Sequence, residues 1–161
     1  MAVDVADGTL HDPFGGRADL EARSLRTPLD PVESFSDDPL RMLRAIRFAA
    51  QLHFSIEEKS IKSIKKNAAR IDILSKERIV DELHKILNCT KPSIGFVMLD
   101  EMGLLERILP EITALKGIEE LEGQSHKDNF YHTFEVVDNI CLLYTSPSPR
   151  DYAASRMPSS A

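Results

Sequence analysis

The apolar residues change their period at Ser36, and that change constrains the chain more than any other feature. From there to about Leu142 they recur at steps of three and four, which on an α-helix places them on one face. Leu40, Leu43, Ile46 and Ala50 share a face of DDPLRMLRAIRFAAQL. Ser36 is expected to cap this helix, with Asp37 and Asp38 in its first turn, where the helix dipole favours negative charge, and Pro39 tolerated before the hydrogen-bond ladder is complete. Ser55 and Glu58 (SIEE) form a capping-box pattern for a second helix with Ile61, Ile64 and Ala68 inward. Ser75 opens a third, SKERIVDELHKIL, striped by Ile79, Leu83, Ile86 and Leu87. Pro92 opens a fourth, PSIGFVMLDEM, which Gly103 ends; LLERILPEITALKG follows with Pro110 as a break and Gly117 as a stop. A last stretch, DNFYHTFEVVDNICLL, carries Phe130, Phe134, Val137 and Ile140 at core spacing. The expected fold is mainly α.

The two ends differ from this array. Residues 3–35 mix Gly, Pro and Asp with short apolar pieces, which suits one or two strands joined by tight turns. Those strands have no visible partners, and an isolated pair is marginal in water, so the segment reads as the last part of a larger sheet. The end, YTSPSPRDYAASRMPSSA, has no periodic apolar face and reads as disordered; it also resembles translated adapter sequence and is expected to be non-native.

With 42% apolar and 29% charged residues, the chain has the composition of a soluble globular domain. No apolar run approaches the roughly 20 residues needed to span a bilayer. Cys89 and Cys141 are isolated, with no metal spacing, and no cationic, apolar leader opens the chain, so a reducing cytoplasm is the expected compartment and both thiols read as apolar fillers. The net charge of −6 hides an asymmetry: Arg41 to Lys91 holds 12 Lys and Arg against 6 Asp and Glu, while the rest is strongly acidic.

Within that basic stretch, Asp38, Arg41, Arg44 and Arg47 form the strongest constellation. On a helix, Asp38 and Arg41 stand one above the other, and arginines at steps of three form a slowly drifting stripe. A carboxylate beside a guanidinium offers an acceptor edge and a donor edge. That is complementary to cytosine (N4–H beside N3) and adenine (N6–H beside N1), and mismatched to guanine and uracil, which present a carbonyl beside an N–H. Arg44 and Arg47 would reach phosphate oxygens. The same spacing also suits a plain surface ion pair worth a few tenths of a kcal/mol.

The run GTLHDPFGGRADLEARSLRTPLDPVESFSDDPLRMLRAIRFAAQLHFSIE resembles the junction of head and neck domains in bacterial CCA-adding tRNA nucleotidyltransferases (class II), a family that includes bacterial poly(A) polymerases. There, DPFGGxxDLExxxLRT ends the catalytic head and (E/D)DPLRxLRAxRFA is the helix that reads the incoming nucleotide. The resemblance implies base reading by Asp38 and Arg41 and nucleotide contacts by Arg44 and Arg47, with Asp37 in place of the family's usual Glu. KERIVDELHKIL, with Arg78 and Glu82 one turn apart, resembles the motif that braces the neck. The implied fold is a helical neck and body array preceded by a short β remnant of the head. Residues 1–30 would end the head, 31–91 form the neck, 92–143 begin the body and an HD-like domain, and 144–161 be the foreign tail. The implied partners are the tRNA acceptor end, CTP and ATP, with Mg2+ as cofactor and no membrane.

The resemblance also marks what is not seen. Two Mg2+ ions drive such phosphoryl transfer, and the family's GG…DxD and RRD motifs do not precede Gly8. Asp4 and Asp7 suit a turn better, so this chain by itself is expected to lack catalysis. Lys59, Lys62, Lys65, Lys66 and Arg70 form a basic helix face, either a solvated surface or a holder of RNA phosphates. DPFGG (Asp12 to Gly16) reads as a turn or, alternatively, a phosphate loop. His126 and His132 are similar to the entry of an HD-type domain, in which His132 would be the first metal ligand; alone it cannot build a site. His11, His53 and His84 show no partner pattern. Two alternatives stay open: a poly(A) polymerase of the same superfamily, or a non-catalytic helical RNA-binding module in which the lysine face does the work.

Overall fold

The computed structural model describes residues 1–117, 120–121, 124–125 and 129–145, with side chains over 1–117 and 129–140. The fold is mainly α, as expected. The first segment departs from expectation, however, because it contains helices as well as strands. β1 (Ala2–Val3) and β2 (Leu10–His11) form an antiparallel pair. α1 (Gly16–Glu21) follows, begun by Asp12, whose carboxylate accepts from the N–H groups of Gly16 and Arg17, each at 2.8 Å. β3 (Ser24–Leu25) leads to α2 (Pro31–Asp37), where Asp30 accepts from the Val32 and Glu33 N–H groups and Pro31 sits at the tolerant first position.

Ser36 therefore lies inside α2 and caps nothing. Asp38 is the residue that caps instead. It is extended (φ −137°, ψ 98°) at the joint between α2 and α3 (Leu40–Leu52), and its Oδ1 accepts from the Leu40 N–H at 3.2 Å. α3 is the central helix. Met42, Leu43, Ile46, Ala49 and Ala50 are buried, a stripe wide enough to face α5 and α6 together, with α2 across its first turn.

Ser55 and Ile56 do not open a helix. They form β4, which pairs in parallel with β3 (Ser24 opposite Ser55, Leu25 opposite Ile56), with Ser55 and Glu57 N–H donating to the Arg23 and Leu25 carbonyls at 2.9 Å. The early strand thus has a partner inside the chain. α4 (Glu58–Asn67) starts at Glu58 without a side-chain cap, runs into a 3-10 helix (Ala68–Ile73), and lies along α2. α5 (Lys76–Leu87) is capped by Ser75 as expected, but Leu87 is exposed and lies outside its buried stripe.

α6 (Pro92–Glu101) passes very close to α5. A Cβ added at Gly95 would lie 2.5 Å from Ile86 Cγ2 and 3.5 Å from Ala50 Cβ, so glycine permits the crossing of α3, α5 and α6. Gly103, at φ 71°, ends this stretch. α7 (Leu105–Ile108) and α8 (Pro110–Thr113) are separated at Pro110, as its missing N–H requires. After β5 (Glu120–Leu121) and β6 (Gln124–Ser125), α9 (Asn129–Thr145) packs Phe130 and Phe134 into the core, with Phe134 stacked on Phe96 at 4.8 Å; Ile140 is exposed. Asp138 fixes this helix by accepting from Ser93 N–H (2.9 Å) and Oγ–H (2.6 Å) at the start of α6. The helix continues two residues into the stretch read as a tail; residues 146–161 and His126 lie outside the described residues.

Candidate functional site

Steps of three turn a helix by about −60°, so Arg41 and Arg47 stand about 120° apart around α3. The structure divides the arginine stripe accordingly. Arg41 and Arg44 line a cavity of about 360 Å3 walled by Leu25, Leu29, Phe35, Phe48 and Ile56. Arg47 turns the other way, toward α5, where its Nε lies 2.8 Å from Glu82 Oε2 and its guanidinium covers the Phe48 ring at 3.9 Å. Glu82 is only 4% exposed and also receives Lys85 Nζ at 2.8 Å. A guanidinium held this way packs the neck together; it is not on the cavity with the other two.

The Asp38 and Arg41 side chains do not pair with each other, although the Arg41 N–H donates to the Asp38 carbonyl at 3.0 Å, because Asp38 is extended and its carboxylate turns to the Leu40 N–H. Each is held from outside. Arg78 on α5 lies 3.5 Å from Asp38 Oδ1. Arg41 Nη1 donates to the Ser34 hydroxyl (3.1 Å) and carbonyl (3.3 Å) on α2. A carboxylate has about four acceptor positions and a guanidinium five N–H donors, so both keep capacity for a ligand. Arg44 has no partner among the described residues. The Arg78 and Glu82 pair, one turn apart on α5, therefore engages two of the four expected site residues, Asp38 and Arg47.

Ser34 was not legible as a site residue. Its partner lies seven positions away across a helix break, and no periodic rule links the two. Ser60 is a second omission: its hydroxyl is buried beside the same cavity without a hydrogen-bond partner among the described residues.

All five residues of the basic face are exposed. Lys59, Lys62 and Lys66, at i, i+3 and i+7 of α4, line a groove of about 280 Å3 shared with Asp30, Pro31 and Val32 of the α2 start. Lys62 is paired with Glu58 at 2.6 Å. Lys65 lies off the groove, and Arg70 Nη2 donates to the Ser36 carbonyl at 2.8 Å, closing the end of α2.

The remaining candidates settle into structural roles. The Gly16 and Arg17 N–H groups at the end of DPFGG serve the Asp12 carboxylate, which they hold below its usual range, and the Gly15 N–H serves the Asp12 carbonyl, so the segment is a turn. Asp4 and Asp7 accept from the Ala6 and Thr9 N–H groups, each at 2.8 Å, in the loop joining β1 to β2. Burial pushes the Cys89 thiol up, consistent with an inert filler. His132 is exposed, with Nδ1 3.9 Å from Glu135. Among the described residues no three His, Cys, Asp or Glu side chains gather as a metal site, and no helix is long and apolar enough to cross a membrane.

Comparison with known proteins gives this geometry a context. Residues 53–116 match the family described as "Probable RNA and SrmB-binding site of polymerase A". The Multifunctional CCA protein of Vibrio campbellii is 36% identical over 152 residues, covering 91% of this chain and 36% of the relative. That of Chromobacterium violaceum is 41% identical over 139 residues, covering 84% of this chain and 33% of the relative. The Bacillus stearothermophilus CCA-adding enzyme, solved in complex with CTP, superposes on 60% of this chain and 25% of its own with TM-score 0.59 and 36% identity. A tRNA nucleotidyltransferase solved with a primer tRNA and an ATP analogue shares the fold over 97% of this chain and 54% of its own, at TM-score 0.61 and 23% identity. The chain spans about a third of the length of the curated relatives it matches.

Proposed function

We propose that this chain, kin to the bacterial CCA-adding enzymes, supplies the nucleotide-reading helix and RNA-holding neck of a tRNA nucleotidyltransferase. The intact enzyme would add C, C and A to tRNA 3′ ends from CTP and ATP in the cytoplasm, without a nucleic-acid template. One observation carries this reading: Asp38 and Arg41, adjacent at the head of α3, are each fixed by a different outside partner, Arg78 and Ser34. An acceptor and a donor are thereby presented separately to a base edge instead of satisfying each other. Asp38 would accept from the exocyclic amine and Arg41 donate to the bare ring nitrogen. Arg44, beside Arg41 on the cavity, would meet the phosphates. Arg47 would contribute through its hold on Glu82. In this division, residues 1–30 close the head, 31–91 form the neck and 92–143 open the body.

The intact reaction calls for Mg2+, and the residues described here do not fit it: Asp4 and Asp7 are engaged in their turns, and no third donor joins them. Metal chemistry would fall to other parts of an intact enzyme. Lys59, Lys62, Lys65, Lys66 and Arg70 would face the tRNA acceptor arm through its phosphates, a role supported by the match to an RNA-binding family over 53–116.

Calorimetric titration of the chain with the four ribonucleoside triphosphates tests the base reading. CTP and ATP should bind more tightly than UTP and GTP, and Asp38→Ala or Arg41→Ala should erase that preference; equal binding of all four would sink it. The same family description, which names polymerase A, favours poly(A) addition as a second reading. Supplying the full-length enzyme with tRNA lacking its terminus separates them, since C incorporated before A belongs to CCA addition. A non-catalytic RNA module would instead leave nucleotide binding indifferent to Asp38 and lose tRNA on Lys62→Glu with Lys66→Glu.

A further inference from the structure

We infer that Ser34 is a positioning residue for Arg41, selecting which edge of the guanidinium meets the base; this rests on the base reading proposed above. A guanidinium carries two N–H edges suited to flat, paired recognition, one formed by Nε and Nη2 and the other by the two Nη groups. Both bonds from Arg41 to α2 leave from Nη1, one to the Ser34 carbonyl and one to its hydroxyl. The Nη1 group is thereby occupied, and the Nε and Nη2 edge is left to a ligand.

Ser34 is suited to this hold because it cannot move away. It is 7% exposed, sits next to the fully buried Phe35, and belongs to a helix fastened at both ends, by Asp30 at its start and by Arg70 on the Ser36 carbonyl at its finish. A long side chain with several rotors loses orientation freedom when two of its donors are fixed, so the ordering cost of binding falls before the ligand arrives. Discrimination then depends on presenting a donor, in a fixed direction, to a ring nitrogen that is bare in cytosine and carries a proton in uracil.

The test compares CTP with UTP, which differ at that edge and share the same sugar and triphosphate. In the unsubstituted chain, Ser34→Ala, Ser34→Thr and Arg41→Ala, affinities are measured by titration, and the Arg41 Nε–H signal is followed by nitrogen-15 NMR. Ser34→Ala should cut the preference for CTP over UTP by about tenfold, the share of one hydrogen bond to a charged group, while UTP affinity is unchanged. Its Arg41 Nε–H should exchange faster with water, and Ser34→Thr, which keeps the hydroxyl, should restore both. If Arg41→Ala loses the preference and Ser34→Ala keeps it, the positioning role is overturned and the base reading stands. If Arg41→Ala keeps the preference, the base reading itself falls and takes this inference with it. An Arg41 signal unchanged in Ser34→Ala overturns the positioning whether or not a nucleotide binds.

Discussion

The two flanks of α3 carry the same residue type in opposite states. On the flank toward α5, Arg47 is closed in by Glu82, Lys85 and the Phe48 ring, with its side chain only 13% exposed. On the flank toward α2, Arg41 and Arg44 border an open cavity, one tethered at a single nitrogen and the other without a partner among the described residues. The difference comes from the facing helices: α5 presents a buried carboxylate, and α2 presents a hydroxyl and a carbonyl. A stripe of arginines is therefore one sequence pattern with two physical outcomes, structural where a carboxylate is buried opposite and available for ligand where only neutral acceptors are.

The sharpest way to break this contrast is Glu82→Ala. It strands the Arg47 charge in the interior, and chemical denaturation should show a loss of about 3–5 kcal/mol. Replacing both partners together with methionine should recover most of that loss, since two apolar side chains remove the buried charge as well as its partner. Next in size is Gly95→Ala, which drives a methyl into Ile86 at the crossing that holds α5 in place; overpacking should cost about 1–3 kcal/mol by the same measurement. Asp30→Ala removes the cap that anchors α2 behind the open flank and should cost about 1 kcal/mol. Smallest is Arg44→Ala, expected to shift stability by less than about 0.5 kcal/mol. An Arg44→Ala loss matching that of Glu82→Ala would abolish the distinction between the flanks.

The sequence conveyed the helical array because burial and period coincide there: Leu43, Ile46, Ile64, Leu83 and Ile86 are all inward where their spacing places them. It misread the joints. Ser36 and Asp38 are both plausible caps by composition, and the choice between them depends on Pro31 and Asp30 starting a helix earlier, which the Gly- and Pro-rich surroundings obscured. Ser55 fits a capping box, yet pairing with β3 outweighs that local preference, and a strand partner thirty residues away leaves no periodic trace. At the site, the types and order of Asp38, Arg41, Arg44 and Arg47 were legible. Which arginine faces the cavity was not, because Glu82 and Ser34 decide it from other helices.

The two-rung β3–β4 ladder also bears on the order in which the molecule is assembled. Its strands run parallel, so α2 and α3 must be in place as the crossover between them before Ser55 and Glu57 can donate to Arg23 and Leu25. Local helix contacts close early and long loops late. With two rungs, and with none of residues 1–30 buried, the ladder is a weak joint, and the leading 30 residues can loosen while α3 stays folded on α5 and α6.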